Sequence, residues 1–233
     1  MEKEKKSILV VSNLSKSYGE ESGKTIALNG ISLSVEEGEF LVILGSSGSG
    51  KSTLLNLLGG MDKAESGTIL FYGEDITKFN ESERNRYRRN NVAFIFQSYN
   101  LLTELTLLQN ILLSPGSKDK KEAKKILSSL GLEGKENSFP GQLSGGEQQR
   151  GAIARALNKN FDILFCDEPT GALDETSGKA VLDCLETIHR QGKTIVLVTH
   201  NVDFALLGDR VITLRDGEIA SIKKKGEKEG NFK

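Results

Sequence analysis

The chain has 233 residues and a formal net charge of -1, enough for one large domain or a core carrying a subdomain. That balance gives no electrostatic reason to expect nucleic acid or an acidic surface as a partner. No apolar run approaches the roughly 18–20 residues that span a bilayer. The apolar run 8–11 after the charged start is too short for a signal-peptide core, so the chain is expected to be soluble and to reach a membrane only through a partner.

Taken in order, strand-length apolar runs at 8–14, 31–35, 40–44, 68–72, 92–96, 163–166, 194–199, 210–214 and 218–222 alternate with helical patterns. That alternation marks an α/β domain with a mainly parallel sheet. A helix opens at Gly50 and Lys51 and runs through Leu54, Leu55, Leu57 and Leu58. The basic stretch 84–89 reads more simply as a solvated helix than as a phosphate contact. Between 98 and 157 strand signals stop, and helices are expected at 106–113, 118–130 and 144–157, punctuated by Pro115, Gly116, Gly131, Pro140 and Gly141. A further helix fits 176–190, with Val181, Leu182, Leu185 and Ile188 on one face. Asp216-Gly217 is a hairpin turn signal. The expected division is a core of about 1–97 and 158–222, an inserted helical subdomain of about 98–157, and a charged, disordered tail at 223–233. Cys166 and Cys184 lack metal-ligand spacing and read as reduced core residues, and His189 as structural.

Gly45, Ser46, Ser47, Gly48, Ser49, Gly50, Lys51 and Ser52 fit the phosphate-loop pattern G-x-x-x-x-G-K-[ST], after a strand and before a helix. Glycines let successive backbone N–H groups converge on one anion, and the helix start adds a favourable dipole. Lys51 is expected to reach the β- and γ-phosphates, and Ser52 to ligate Mg2+. The bland reading, a flexible Gly/Ser turn, does not account for strand, loop and helix together.

The apolar run 163–166 ends in Asp167 and Glu168. Beside a phosphate loop, such a pair suits a magnesium-holding carboxylate, Asp167, and a proton acceptor for the attacking water, Glu168. Leu143-Ser-Gly-Gly-Glu-Gln-Gln-Arg150 opens a helix with Ser144 at the N-cap and Glu147 three residues on. The bland reading is a capping box. Two adjacent glycines at a helix start also form a second phosphate clamp.

With these elements together, the chain resembles the ATP-binding cassette (ABC) transporter ATPases over essentially its whole length. The resemblance implies a P-loop NTPase core with a mixed, mainly parallel sheet, an N-terminal antiparallel β subdomain and an inserted helical subdomain. It implies ATP and Mg2+ as cofactors and a head-to-tail dimer of two copies with ATP at the interface. Ser144, Gly145 and Gly146 would then contact the γ-phosphate held by the opposite copy. Tyr18 resembles the aromatic that stacks on adenine, and Gln97 the glutamine that senses Mg2+ and the nucleophilic water. Gly171-Ala-Leu-Asp174 is similar to the loop linking the two sites, His200 to the histidine that contacts the γ-phosphate, and Thr53 joins Ser52 among the nucleotide contacts.

The wording at 54–62, 94–102 and 141–150 is similar to macrolide-exporter and lipoprotein-release ATPases. An integral-membrane permease is therefore the implied partner, on the inner face of a bacterial membrane, with peptides, lipoproteins or hydrophobic antibiotics as cargo. The alternative is a soluble ABC ATPase acting on a cytosolic assembly. A phosphate-loop kinase would leave LSGGEQQR without a purpose. Three departures stand out: a stretch from Gln97 to Leu143 shortened near 114–118, Gly151 in place of a β-branched residue, and no proline in the turn 63–67. Leu101, Leu102, Leu105, Leu107 and Leu108 exceed what one core-facing stripe uses, so some are expected to be exposed and to accept a permease helix. The bland reading buries all five.

Overall fold

The computed structural model describes residues 6–20, 23–114 and 119–225. Pro115, Gly116, the first residue of the helix expected at 118 and most of the charged tail lie outside them. The chain divides into two units, Met1–Asn80 with Thr194–Lys233, and Glu81–Lys193.

The first unit contains two sheets. Strands β1 (Ser7–Tyr18), β2 (Thr25–Glu36), β4 (Ser66–Phe71) and β5 (Glu74–Asp75) form an antiparallel sheet in the order β2-β1-β4-β5. In the other sheet β3 (Phe40–Leu44) pairs in parallel with β8 (Thr194–Thr199) on one side and β9 (Arg210–Arg215) on the other, and β9 pairs antiparallel with β10 (Glu218–Lys224). Phe40 to Ile43 and Ile195 to Val198 are fully buried, as expected of parallel strands covered on both faces. Helix α1 (Lys51–Leu58) packs on β8 and β2 through Leu54, Leu55 and Leu58.

The second unit holds α2 (Glu81–Asn90), β6 (Val92–Ile95), α3 (Leu107–Leu112), α4 (Lys120–Ser129), α5 (Gly145–Leu157), β7 (Ile163–Asp167) and α6 (Glu175–Arg190), with β6 and β7 parallel. Helix α5 is its hub, packing on α3, α4, α6 and β6. Its small residues Ala152 and Ala154 are fully buried, which lets its neighbours approach closely.

All nine expected strands are present, and β1 and β2 run well past the expected limits. Strand β10 extends to Lys224, into the stretch expected to be tail. The basic stretch 84–89 lies on α2, but Arg84 is not solvated as expected. It is 8% exposed and paired with Glu81, because its aliphatic stem lies on the same buried face as Tyr87. Cys184 is only half-buried, while Cys166 is fully buried, and both are free thiols. The turn without its proline is tied down by charge instead: Lys24 pairs with Glu65 at 2.7 Å, and Lys16 donates to the Lys63 carbonyl at 2.7 Å.

Candidate functional site

The sequence-selected residues of the first unit gather at the end of β3 and the start of α1. Residues 45–50 turn between them, with Ser46, Ser47, Gly48 and Ser52 exposed. Gly50, at the N-cap, has φ 99°, and a side chain there would run into the carbonyl of Ala27. Only glycine fits both demands. The N-cap thus supplies no side-chain acceptor, and the dipole at the helix start favours an anion there. Lys51 is 7% exposed, and its Nζ donates to the carbonyls of Gly45 (2.8 Å) and Ser46 (2.9 Å). The ammonium is folded over its own loop. Beneath the loop, the Asp216-Gly217 hairpin turn, both residues at positive φ, donates from Gly217 N to the Ser49 carbonyl at 3.1 Å.

Two further residues of this unit flank the loop. Thr199 ends β8 opposite Leu44, and its carbonyl accepts from Gly45 N at 3.3 Å, which sets exposed His200 beside the loop's first residue. Tyr18 ends β1 with its ring 44% exposed. The Thr53 hydroxyl hydrogen-bonds its phenol, and Tyr18 Oη donates to Asp62 at 2.8 Å. Burial and then the Asp62 carboxylate hold the Tyr18 phenol above its usual range. The Lys16 ammonium lies 5.0 Å from the ring centroid, a cation–π distance. Asp62 stays below the usual carboxylate range: burial opposes that shift, but bonds from Lys16, the Lys63 N–H and Tyr18 outweigh it.

The second unit gathers the other candidates. Asp167 ends β7, and half-buried Glu168 follows with φ 45°, a left-handed conformation that costs a non-glycine residue about 1–3 kcal/mol. The turn is closed by Gly171 N donating to the Glu168 carbonyl at 3.1 Å. A Cβ built on Gly171 would lie 2.8 Å from Gln97 Nε2, so the side chain of Gln97 rests on the turn that carries Glu168. Tyr99 and Asn100, just beyond Gln97, also have positive φ (58° and 52°). Arg155 of α5 donates to the carbonyls of both.

Ser144 N-caps α5 with a full capping box: Ser144 Oγ accepts from Glu147 N at 3.2 Å, and Glu147 accepts from Ser144 N at 2.8 Å. The Ser144 backbone N–H first, then Lys135 at 3.1 Å, hold the Glu147 carboxyl below its usual range. The Ser144 hydroxyl also hydrogen-bonds the Glu147 carboxylate, which closes the box from both sides. A Cβ on Gly145 would lie 2.9 Å from Tyr99 Oη, and one on Gly146 2.6 Å from Ser177 Oγ. Asp174, ending the 171–174 loop, caps α6 and holds that same Ser177 through its N–H (3.0 Å) and hydroxyl (2.8 Å). Sequence reading passed over Gln149 and Arg155. Gln149 stands within the quoted motif, but nothing in a helical pattern tells which polar side chain turns inward.

A profile of the ABC transporter family matches residues 28–171. The macrolide export ATP-binding/permease protein MacB of Neisseria meningitidis serogroup B is 45% identical over 221 residues, covering 92% of this chain and 34% of that protein. The chain therefore spans about a third of the length of the curated relatives first matched. An uncharacterized ABC transporter ATP-binding protein of Methanocaldococcus jannaschii is 46% identical over 219 residues, covering 91% of this chain and 98% of that one. An ATP-binding cassette solved as a dimer in a post-hydrolysis state, bound to ADP and Pi, is 38% identical with a TM-score of 0.86, covering 93% of this chain and 98% of that chain.

Proposed function

The chain belongs to the ABC transporter family, and we propose that it is the part of a membrane transporter that binds and hydrolyses ATP to drive a permease. The observation that carries this reading is Lys51, whose ammonium sits on two carbonyls of the loop it would share with a phosphate. ATP displaces those contacts: the ammonium moves to the β- and γ-phosphates, and the N–H groups at the α1 start bind the phosphate oxygens. Tyr18 offers a half-exposed ring face for the adenine.

Ser52 and Asp167 are hard oxygen donors suited to magnesium, which takes one or two carboxylates, water and substrate phosphates rather than an all-protein cage. Bound with the nucleotide, magnesium would neutralise negative charge on its phosphates. Gln97 orients the attacking water and Glu168 accepts its proton as the oxygen attacks the γ-phosphorus. The bond to the β–γ bridging oxygen breaks, ADP departs, and His200 steadies the γ-phosphate throughout. Ser144, Gly145 and Gly146 serve the ATP of a second copy, head to tail.

Among the described residues no helix is long and apolar enough to cross a membrane. A separate or fused permease segment supplies that part, with this chain on the cytoplasmic face of a bacterial membrane. Of the expected cargoes (peptides, lipoproteins or hydrophobic antibiotics), the 45% identity to a macrolide export protein supports the hydrophobic antibiotics. The test is phosphate release and ATP affinity of the wild-type chain and Lys51→Ala. Loss of ATP binding on substitution is expected; unchanged affinity and turnover overturn the phosphate-loop assignment.

A further inference from the structure

Gln149 has no part in the reaction as described, yet it is the polar side chain that α5 buries. It is 0% exposed, and its Nε2 donates to the Pro169 carbonyl at 2.7 Å and the Phe96 carbonyl at 3.4 Å. Phe96 immediately precedes Gln97, and Pro169 immediately follows Glu168. One amide group therefore joins the carbonyl just before the residue that would orient the water to the carbonyl just after the residue that would deprotonate it. The left-handed turn at Glu168 is what presents the Pro169 carbonyl to the helix. The other atom of the amide, Oε1, is buried with no partner. An orphaned buried acceptor is a cost that an apolar side chain of similar size avoids, so the donor side of this amide must be the part that matters.

We propose that Gln149 is a positioning residue for hydrolysis, fixing the separation of the Gln97 backbone and the Glu168 turn from the helix that begins at Ser144. The proposal rests on the reading that Gln97 and Glu168 serve the attacking water. Reaction rates are sensitive to displacements of about 1 Å, on the order of 10²-fold. A loosened clamp therefore lowers the rate of the chemical step without touching any group that binds the nucleotide.

The experiment measures single-turnover ATP hydrolysis, ATP affinity and thermal melting for wild type, Gln149→Leu, Gln149→Glu and Glu168→Gln. Gln149→Leu removes both donated bonds; a turnover rate lower by about 10-fold or more, with ATP affinity unchanged, is expected. Gln149→Glu retains one O–H donor while the introduced carboxyl is neutral, and burial against carbonyl oxygens raises its pKa. Its activity should therefore be near wild type at low pH and fall as pH rises through that raised pKa, a limb the wild type lacks. That limb tests the clamp even where Gln149→Leu fails to fold. A folded Gln149→Leu protein with wild-type turnover, or Gln149→Glu losing activity equally at every pH, overturns the proposal. If Glu168→Gln hydrolyses ATP at the wild-type rate, the underlying assignment of the base falls instead.

Discussion

Leu107 occupies the space that a side chain on Gly151 would need: a Cβ built there would lie 2.6 Å from Leu107 Cδ1. Leu107 is 0% exposed, so it has nowhere to retreat. This accounts for glycine at a position where a β-branched residue was expected, despite the helix-propensity cost of about 1 kcal/mol. Gly151→Val recovers that propensity only in part and overpacks the α3–α5 contact by about 1–3 kcal/mol. A lower melting temperature is expected, and a higher one would show that the helices separate without cost.

Glu168→Gln keeps the side-chain volume and removes the proton acceptor. ATP binding should persist, hydrolysis should fall about 10²-fold or more, and an ATP-bound dimer should accumulate. Size-exclusion chromatography with Mg-ATP reads this out directly. Wild-type hydrolysis by the substituted chain would end the assignment.

Lys51 and Ser144 should serve one ATP from opposite copies. Neither Lys51→Ala nor Ser144→Arg is expected to dimerise alone. Mixed, they form heterodimers with one doubly damaged site and one intact site, so a nucleotide-bound dimer should reappear. Ser144→Arg protein that dimerises with ATP as well as wild type would remove the two-copy reading of the LSGG motif.

The leucine-rich stretch after Gln97 is divided. Leu107 and Leu108 are buried, Leu101 and Leu105 half-buried, and Leu102 is 47% exposed. Some of the five are exposed, as expected, and the reading that buries all five does not survive. The buried Asn110 side chain holds Leu102 at both backbone groups, accepting from its N–H at 2.7 Å and donating to its carbonyl at 3.0 Å. A fixed, outward leucine suits a permease contact. Leu102→Asp should abolish permease binding and transport while basal ATPase activity and melting temperature stay unchanged. Unaffected coupling, or unfolding of the chain, excludes Leu102 from such a surface.

Much of this was legible because buried parallel strands must be apolar on both faces: Phe40 to Ile43 and Thr194 to Thr199 announce themselves. The last residues of β1 and the first half of β2 did not, since Ser15, Lys16 and Ser17 pair antiparallel with register irregularities and follow no simple alternation. Strand β5 follows the positive-φ pair Tyr72-Gly73 and is too short to leave a pattern. The candidate residues were readable where backbone chemistry dictates residue type, as at Gly50 and Ser144. Arg84 and Gln149 were not, because a long polar side chain can point either way from a helix and only packing decides.

The folding of Lys51 over its own loop has a thermodynamic consequence. Ordering a free loop costs roughly 1–2 kcal/mol of conformational entropy per residue, and residues 45–50 would incur that loss at each nucleotide encounter were they unstructured beforehand. Two lysine bonds and the Gly217–Ser49 bond hold the loop in shape from the moment of folding. Nucleotide capture at the loop is then an exchange of partners around a standing mould. Isothermal titration should accordingly show a heat-capacity change much smaller than the one that accompanies coupled folding and binding.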